Sequence, residues 1–170
     1  MGTTLVGVMV EDVAATGRPT VWLAHVGDSR CYRLRAGTLE LLTEDHSLVE
    51  EQVRAGVLSR VQASVSPIRN IITRAIGAQA KVEPAIERLA TEPGDIYLLA
   101  SDGLTRELED GEIAAVLTTS LVMKKTGGMK EAGRENIAQS LLEATCQALV
   151  DAANAHGGGD NITVALVWVA

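Results

Sequence analysis

IYLLASDGL, residues 96 to 104, carries a run of apolar and small residues directly into an aspartate and a glycine. Such a run, bounded by turn signals, reads as a buried strand. Its ending on a carboxylate has two readings: Asp102 forms the turn that follows, or it holds a metal ion. The approach is equally legible, because EPGD at 92–95 places Pro93 and Gly94 at the central positions of a type II turn.

Upstream, residues 3–10 (TTLVGVMV), 20–26 (TVWLAHV), 31–35 (CYRLR) and 38–43 (TLELLT) are short, β-branched and divided by Gly, Pro or Asp. That is the pattern of an antiparallel meander, with its tightest turn at Ala36-Gly37. At SLVEEQVRAG the period lengthens: Ser47 and Glu50 form a capping box, Leu48 and Val49 lead an apolar face, and Gly56 stops a helix of about two turns. Residues 57–69 show no period and read as a surface loop. NIITRAIG suggests a short helix or turn, and Pro84 confines the strand in VEPAIERLA to a sheet edge or to a start after the proline.

Downstream of Asp102 the sequence implies a turn, then DGEIAAVL as a short helix with Asp110 as N-cap. TTSLVMKKTGGMKEAGRE reads as a flexible excursion. From Glu135 to Asn154 apolar residues recur at helical spacing, giving an amphipathic helix of roughly five turns that Gly157 to Gly159 end. NITVALVWV closes the chain as a strand apolar on both faces. Strands mixed with a few long helices, without βαβ alternation, indicate an α+β fold of antiparallel sheets covered by helices, in one domain over residues 1–170.

Composition narrows the function. A net charge of −7 argues against a nucleic-acid groove or an anionic membrane as partner. Two Trp, two Tyr and no Phe leave few platforms for stacking bases. No apolar run approaches the roughly 20 residues of a membrane span, and MGTTLV lacks the basic start of a signal peptide. The sequence therefore reads as cytoplasmic. Cys31 and Cys146 lack metal-type spacing and read as buried free thiols.

Three aspartates stand beside glycines at strand ends: Asp28 after WLAHVG, Asp102 after IYLLAS, and Asp160 before NITVALVWV. If the last strand runs antiparallel to the one ending at Ser101, Asp102 and Asp160 meet at one edge of the sheet. Carboxylates gathered together are driven toward protonation unless a cation compensates. An all-oxygen donor set selects hard ions such as Mg²⁺ or Mn²⁺. Taken singly, each aspartate reads first as an ordinary cap or turn former, and it is the three together that point to a metal. His25 reads as a hydrogen-bonded core residue, His46 as structural at a helix start, and His156 as solvent-exposed. Arg30 reads as pairing with carboxylates to fix its loop, and Arg74 is undecided.

MGTTLV, HVGDSRCYRL, LTEDHSLVEEQV, RNIITRAIG, GDIYLLASDGL and GGGDNITVALV, in this order and spacing, resemble the metal-dependent serine/threonine protein phosphatases of the PPM or protein phosphatase 2C family, bacterial branch. The resemblance implies an α-β-β-α sandwich holding two Mn²⁺ or Mg²⁺ ions, which activate a water for attack on phosphoserine or phosphothreonine. It implies that Asp102 and Asp160 ligate the core metals, that Asp28 helps bind a third, weaker ion, and that 57–69 is the family's flap. Implied partners are a phosphoprotein and a kinase whose work is opposed.

The family opens with a phosphate-binding arginine and an Asp-Gly-His-Gly-Gly-like motif, and neither occurs here. The resemblance therefore covers the C-terminal two-thirds of a family domain, with Met1 falling well inside it. A sandwich incomplete at the N-terminus would expose apolar surface and favour self-association. It would also hold metal more weakly, which leaves room for a catalytically silent interaction module. Sigma-factor regulator phosphatases of the same fold are a third reading.

Overall fold

The computed structural model describes residues 2–13, 18–122 and 134–169. In chain order the elements are β1 (Leu5–Val13), β2 (Arg18–Val26), β3 (Arg30–Arg35), β4 (Thr38–Leu41), α1 (Leu48–Arg54), α2 (Arg60–Ser64), β5 (Ala85–Ala90), β6 (Ile96–Ala100), α3 (Asp102–Thr105), α4 (Asp110–Val122), α5 (Arg134–His156) and β7 (Val164–Trp168). The chain divides into two compact units, one of residues 1–31 and 41–92, the other of residues 32–40 and 93–170. The class is α+β, as the sequence indicates.

The first unit is built on a three-stranded sheet of order β1-β2-β5. β1 and β2 are antiparallel with Leu5 opposite Val26 and Met9 opposite Trp22, and β2 runs antiparallel to β5 with Val21 opposite Leu89. The period of two in TVWLAHV sets the burial: Val21, Leu23 and His25 are buried while Trp22 and Ala24 are half-buried. On the Trp22 face the register aligns Leu5, Met9 and Ile86, which are 47%, 61% and 62% exposed. Pro84 behaves as expected, since β5 begins directly after it and lies at a sheet edge.

The second unit holds the four-stranded sheet β4-β3-β6-β7. Ala36 and Gly37, at φ 51° and 84°, make the tight β3-β4 turn. β6 is the most buried strand of the chain, and its Leu98 and Ala100 pack with Leu104, Ile113, Leu117 and Leu149 of the helices. Tyr32 and Tyr97 are fully buried, which supplies the volume that absent phenylalanines would give. Each such side chain contributes about 1.5–3 kcal/mol of burial.

Several local expectations need correcting. The four early strands are no single meander: β1 and β2 belong to one sheet, β3 and β4 to the other. Residues 57–69 contain α2, five residues long and too short to show a period, with Ser59 and Gln62 as a full capping box. NIITRAIG forms no helix; it bridges in extended form, Ile72 to Ser47 and Ile76 to Thr3. Asp102 opens the one-turn helix α3 where a plain turn was expected. Asp110 is the first helical residue of α4, and its carboxylate accepts the Tyr32 hydroxyl at 2.9 Å. The expected excursion at 118–135 is helical through Val122, and its part at 123–133 lies outside the described residues. Among the described residues no helix is long and apolar enough to cross a membrane.

Candidate metal centre

β6 and β7 pair antiparallel with Ala100 opposite Val164, so the chain leaves β6 at the same end at which it enters β7. Two further contacts extend the ladder. The Ser101 amide donates to Thr163 O at 2.9 Å, and the Thr163 amide donates to Ser101 Oγ at 3.0 Å. The same hydroxyl reaches Asn161 O at 3.2 Å, so it is engaged across the strands and makes no cap bond to α3. Beside it, a Cβ built on Gly103 would lie 2.4 Å from Asn161 O. Only glycine permits that approach of backbone to backbone.

These contacts bring Asp102 and Asp160 together on one cation. Asp102 Oδ2 forms an ion pair with Arg106 Nη2 at 2.5 Å, and Asp160 Oδ2 accepts a hydrogen bond from Arg106 Nη1 at 3.1 Å. The three side chains are 29%, 48% and 37% exposed in the order Asp102, Asp160, Arg106, so the cluster opens to solvent. Asp160 Oδ1 accepts the Asn161 amide at 2.7 Å, which fixes the carboxylate's orientation. The loop before it is tied down by Glu107, whose Oε1 accepts the Gly159 amide at 3.1 Å.

The pair suits a hard divalent ion in two respects: all its donors are oxygen, and a guanidinium already bridges the two carboxylates as a stand-in cation. Among the described residues no three His, Cys, Asp or Glu side chains converge as a metal cluster. Arg106 was not singled out in the sequence. Its signal was its place four residues after Asp102, which puts both on one face of a helical turn.

Asp28 lies in the first unit, half-buried, on a loop locked from several sides. Gly27 has φ 106°, and a Cβ there would fall 2.3 Å from Thr4 Cγ2. The Gly27 amide donates to His46 Nδ1 at 3.2 Å, and His25 Nε2 meets Glu44 O at 2.9 Å. Arg30 grips Asp45 through Nε at 3.0 Å and Nη2 at 2.8 Å. HVGDSR, which carries Asp28, and TEDHS are therefore tied to each other at three points. Arg30 pairs with a carboxylate as expected, and His25 and His46 are buried with stacked rings 4.7 Å apart. Burial lowers the His46 pKa below its ordinary value, with repulsion from His25 and Arg74 acting in the same direction. His156 is exposed and pairs with Glu112 at 3.2 Å. Cys31 is buried, and desolvation pushes its thiol up to about 12, which removes it from nucleophilic chemistry. Cys146 is only half-buried.

No family model matches the chain. It is 38% identical over 167 residues to the serine/threonine phosphatase stp of Listeria welshimeri, covering 98% of this chain and 56% of that protein. The fold superimposes on the serine/threonine phosphatase of S. agalactiae with a TM-score of 0.78 and 42% identity, over all of this chain and 60% of that one. It also matches the catalytic domain of the serine/threonine protein phosphatase PstP, solved in complex with two manganese ions, with a TM-score of 0.73, 30% identity and cover of 100% and 60%.

By fold, then, the chain is similar to the bacterial serine/threonine phosphatases. More particularly, it is similar to phosphatases described as protein phosphatase 2C-type or PPM, and it spans 56–60% of the length of the three relatives above.

Proposed function

We propose that the protein is a metal-dependent phosphatase that hydrolyses phosphoserine and phosphothreonine in proteins and so opposes a serine/threonine kinase. The observation that carries this reading is the convergence of Asp102 and Asp160 on one cation at the paired ends of β6 and β7. In it, Asp102 and Asp160 hold Mn²⁺ or Mg²⁺, and Asp28 contributes to a further, weaker ion. A divalent ion there supplies Lewis-acid charge to a phosphoryl oxygen and lowers the pKa of a water. The chain's own contribution is positioning: Ser101 fixes the spacing of the two loops, and the Asn161 amide orients Asp160. Mn²⁺-stimulated release of phosphate from a phosphopeptide, abolished by Asp102→Asn, is the expected result. Hydrolysis that ignores both Mn²⁺ and the substitution would overturn it.

A second reading is an interaction module without chemistry. It is favoured by the exposed Leu5, Met9 and Ile86, a surface suited to self-association. Two-site Mn²⁺ binding in calorimetry would remove it, and concentration-dependent light scattering that Met9→Lys suppresses would support it. Phosphatases that act on sigma-factor regulators would use the same acids, so a panel of phosphopeptides separates the substrate classes.

A further inference from the structure

Arg106 engages one oxygen of each member of the acidic pair. Its short α3 turn places it at i+4 from Asp102, and one prong of the fork goes to each carboxylate, Nη2 to Asp102 Oδ2 and Nη1 to Asp160 Oδ2. The remaining Asp160 oxygen is committed to the Asn161 amide. Of the pair's four oxygens, the guanidinium therefore holds one on each carboxylate, and a divalent ion that bridges the two acids through those atoms has to displace it.

The geometry points to Arg106 as a built-in counter-cation that keeps Asp102 and Asp160 together and is exchanged for the divalent ion when the site loads. This inference rests on Asp102 and Asp160 being metal ligands. Two carboxylates that share one cation repel each other, and a planar guanidinium relieves the repulsion at both, through an ion pair with Asp102 and a charge-assisted hydrogen bond to Asp160. The latch is weak enough to open, because ion pairs exposed to this degree are screened by solvent. A divalent ion brings twice the charge. The released side chain has somewhere to go: an open pocket of about 700 Å³ is lined by Arg106 itself with Glu107, Glu109, Asp110, Glu112 and His156. Metal binding thus swaps cations, and the apparent affinity is lowered by the preference of the carboxylates for Arg106.

The test is calorimetric titration of the full chain with Mn²⁺, set beside thermal unfolding in chelator and in saturating Mn²⁺. Arg106→Ala is expected to bind Mn²⁺ about tenfold more tightly. It should also melt earlier than the parent in chelator, with the gap closing in Mn²⁺. Arg106→Lys, which keeps the charge but loses the fork, should fall between, and serves if the alanine variant folds poorly. Equal or weaker Mn²⁺ binding by both variants overturns the exchange while leaving the metal site standing. No Mn²⁺ binding by any of the chains overturns both the exchange and the metal reading beneath it.

Discussion

Gly103 faces the Asn161 carbonyl so closely that a single added carbon would lie 2.4 Å from its oxygen. The two residues come from α3 and from the loop entering β7, and their contact sets how near Asp102 and Asp160 stand.

Gly103→Ala must therefore push the two loops apart. Overpacking of this kind costs about 1–3 kcal/mol. Thermal unfolding should show the loss, and Mn²⁺ affinity should fall with it as Asp160 moves away from Asp102. An alanine variant that melts and binds like the parent would show that the loops have slack.

The start of β6 carries a second dependence. Asp95 is 1% exposed and takes both prongs of Arg35, Nε at 2.7 Å and Nη2 at 2.6 Å. Its backbone carbonyl accepts the Val169 amide at 2.9 Å, so the same residue anchors the far end of the β6-β7 pair. Arg35→Ala removes the partner of a buried charge and should destabilise by about 3 kcal/mol, whereas Arg35→Lys keeps charge without the fork and should lose less. Urea unfolding measures both, and equal losses would show that the two-pronged geometry, and not the charge, carries the effect.

The stacked histidines give the fold a dependence on acid. Burial, and then His25 and Arg74, lower the His46 pKa from 6.5, while Glu44 acts the other way. The neutral ring is the form that accepts the Gly27 amide. With the folded pKa below the unfolded one, the unfolded chain binds the extra proton first. Stability is thus full above pH 6.5 and is lost as pH falls from there toward the folded value. The sign is opposite for exposed His156, whose pKa is raised first by the Ala152 carbonyl and then by Glu112: its contribution holds below pH 6.5 and fades as pH rises. His46→Gln should flatten the loss of stability between pH 7 and pH 5. A His46 ring that titrates at or above 6.5 by NMR would contradict this account.

Long-range features of the site were legible where order alone fixes them. The meeting of Asp102 and Asp160 was conditional on antiparallel pairing of the strand ending at Ser101 with the closing strand, and β6 and β7 do pair antiparallel. Arg106 escaped notice because a helical turn of four residues leaves no apolar period to mark it. α2 escaped for the same reason, although Ser59 and Gln62 spell its cap. The transfer of the chain from one sheet to the other after β2 was not readable, because Gly27 and Asp28 look the same whether they turn a hairpin or leave a sheet. What distinguishes the cases is the clash of a Gly27 Cβ with Thr4, a residue more than twenty positions away.

Ser101 and Thr163 form the last rung of the ladder below the acids. A slip of that ladder by one residue would turn every side chain of the closing strand to the opposite face and carry the second acid out of reach. The centre accordingly has no half-built form: it exists when those strands are in register and vanishes when they are not. Amide exchange at residue 163 then becomes a clock for its survival, ticking slowly in an intact molecule and quickly in one whose ladder has opened.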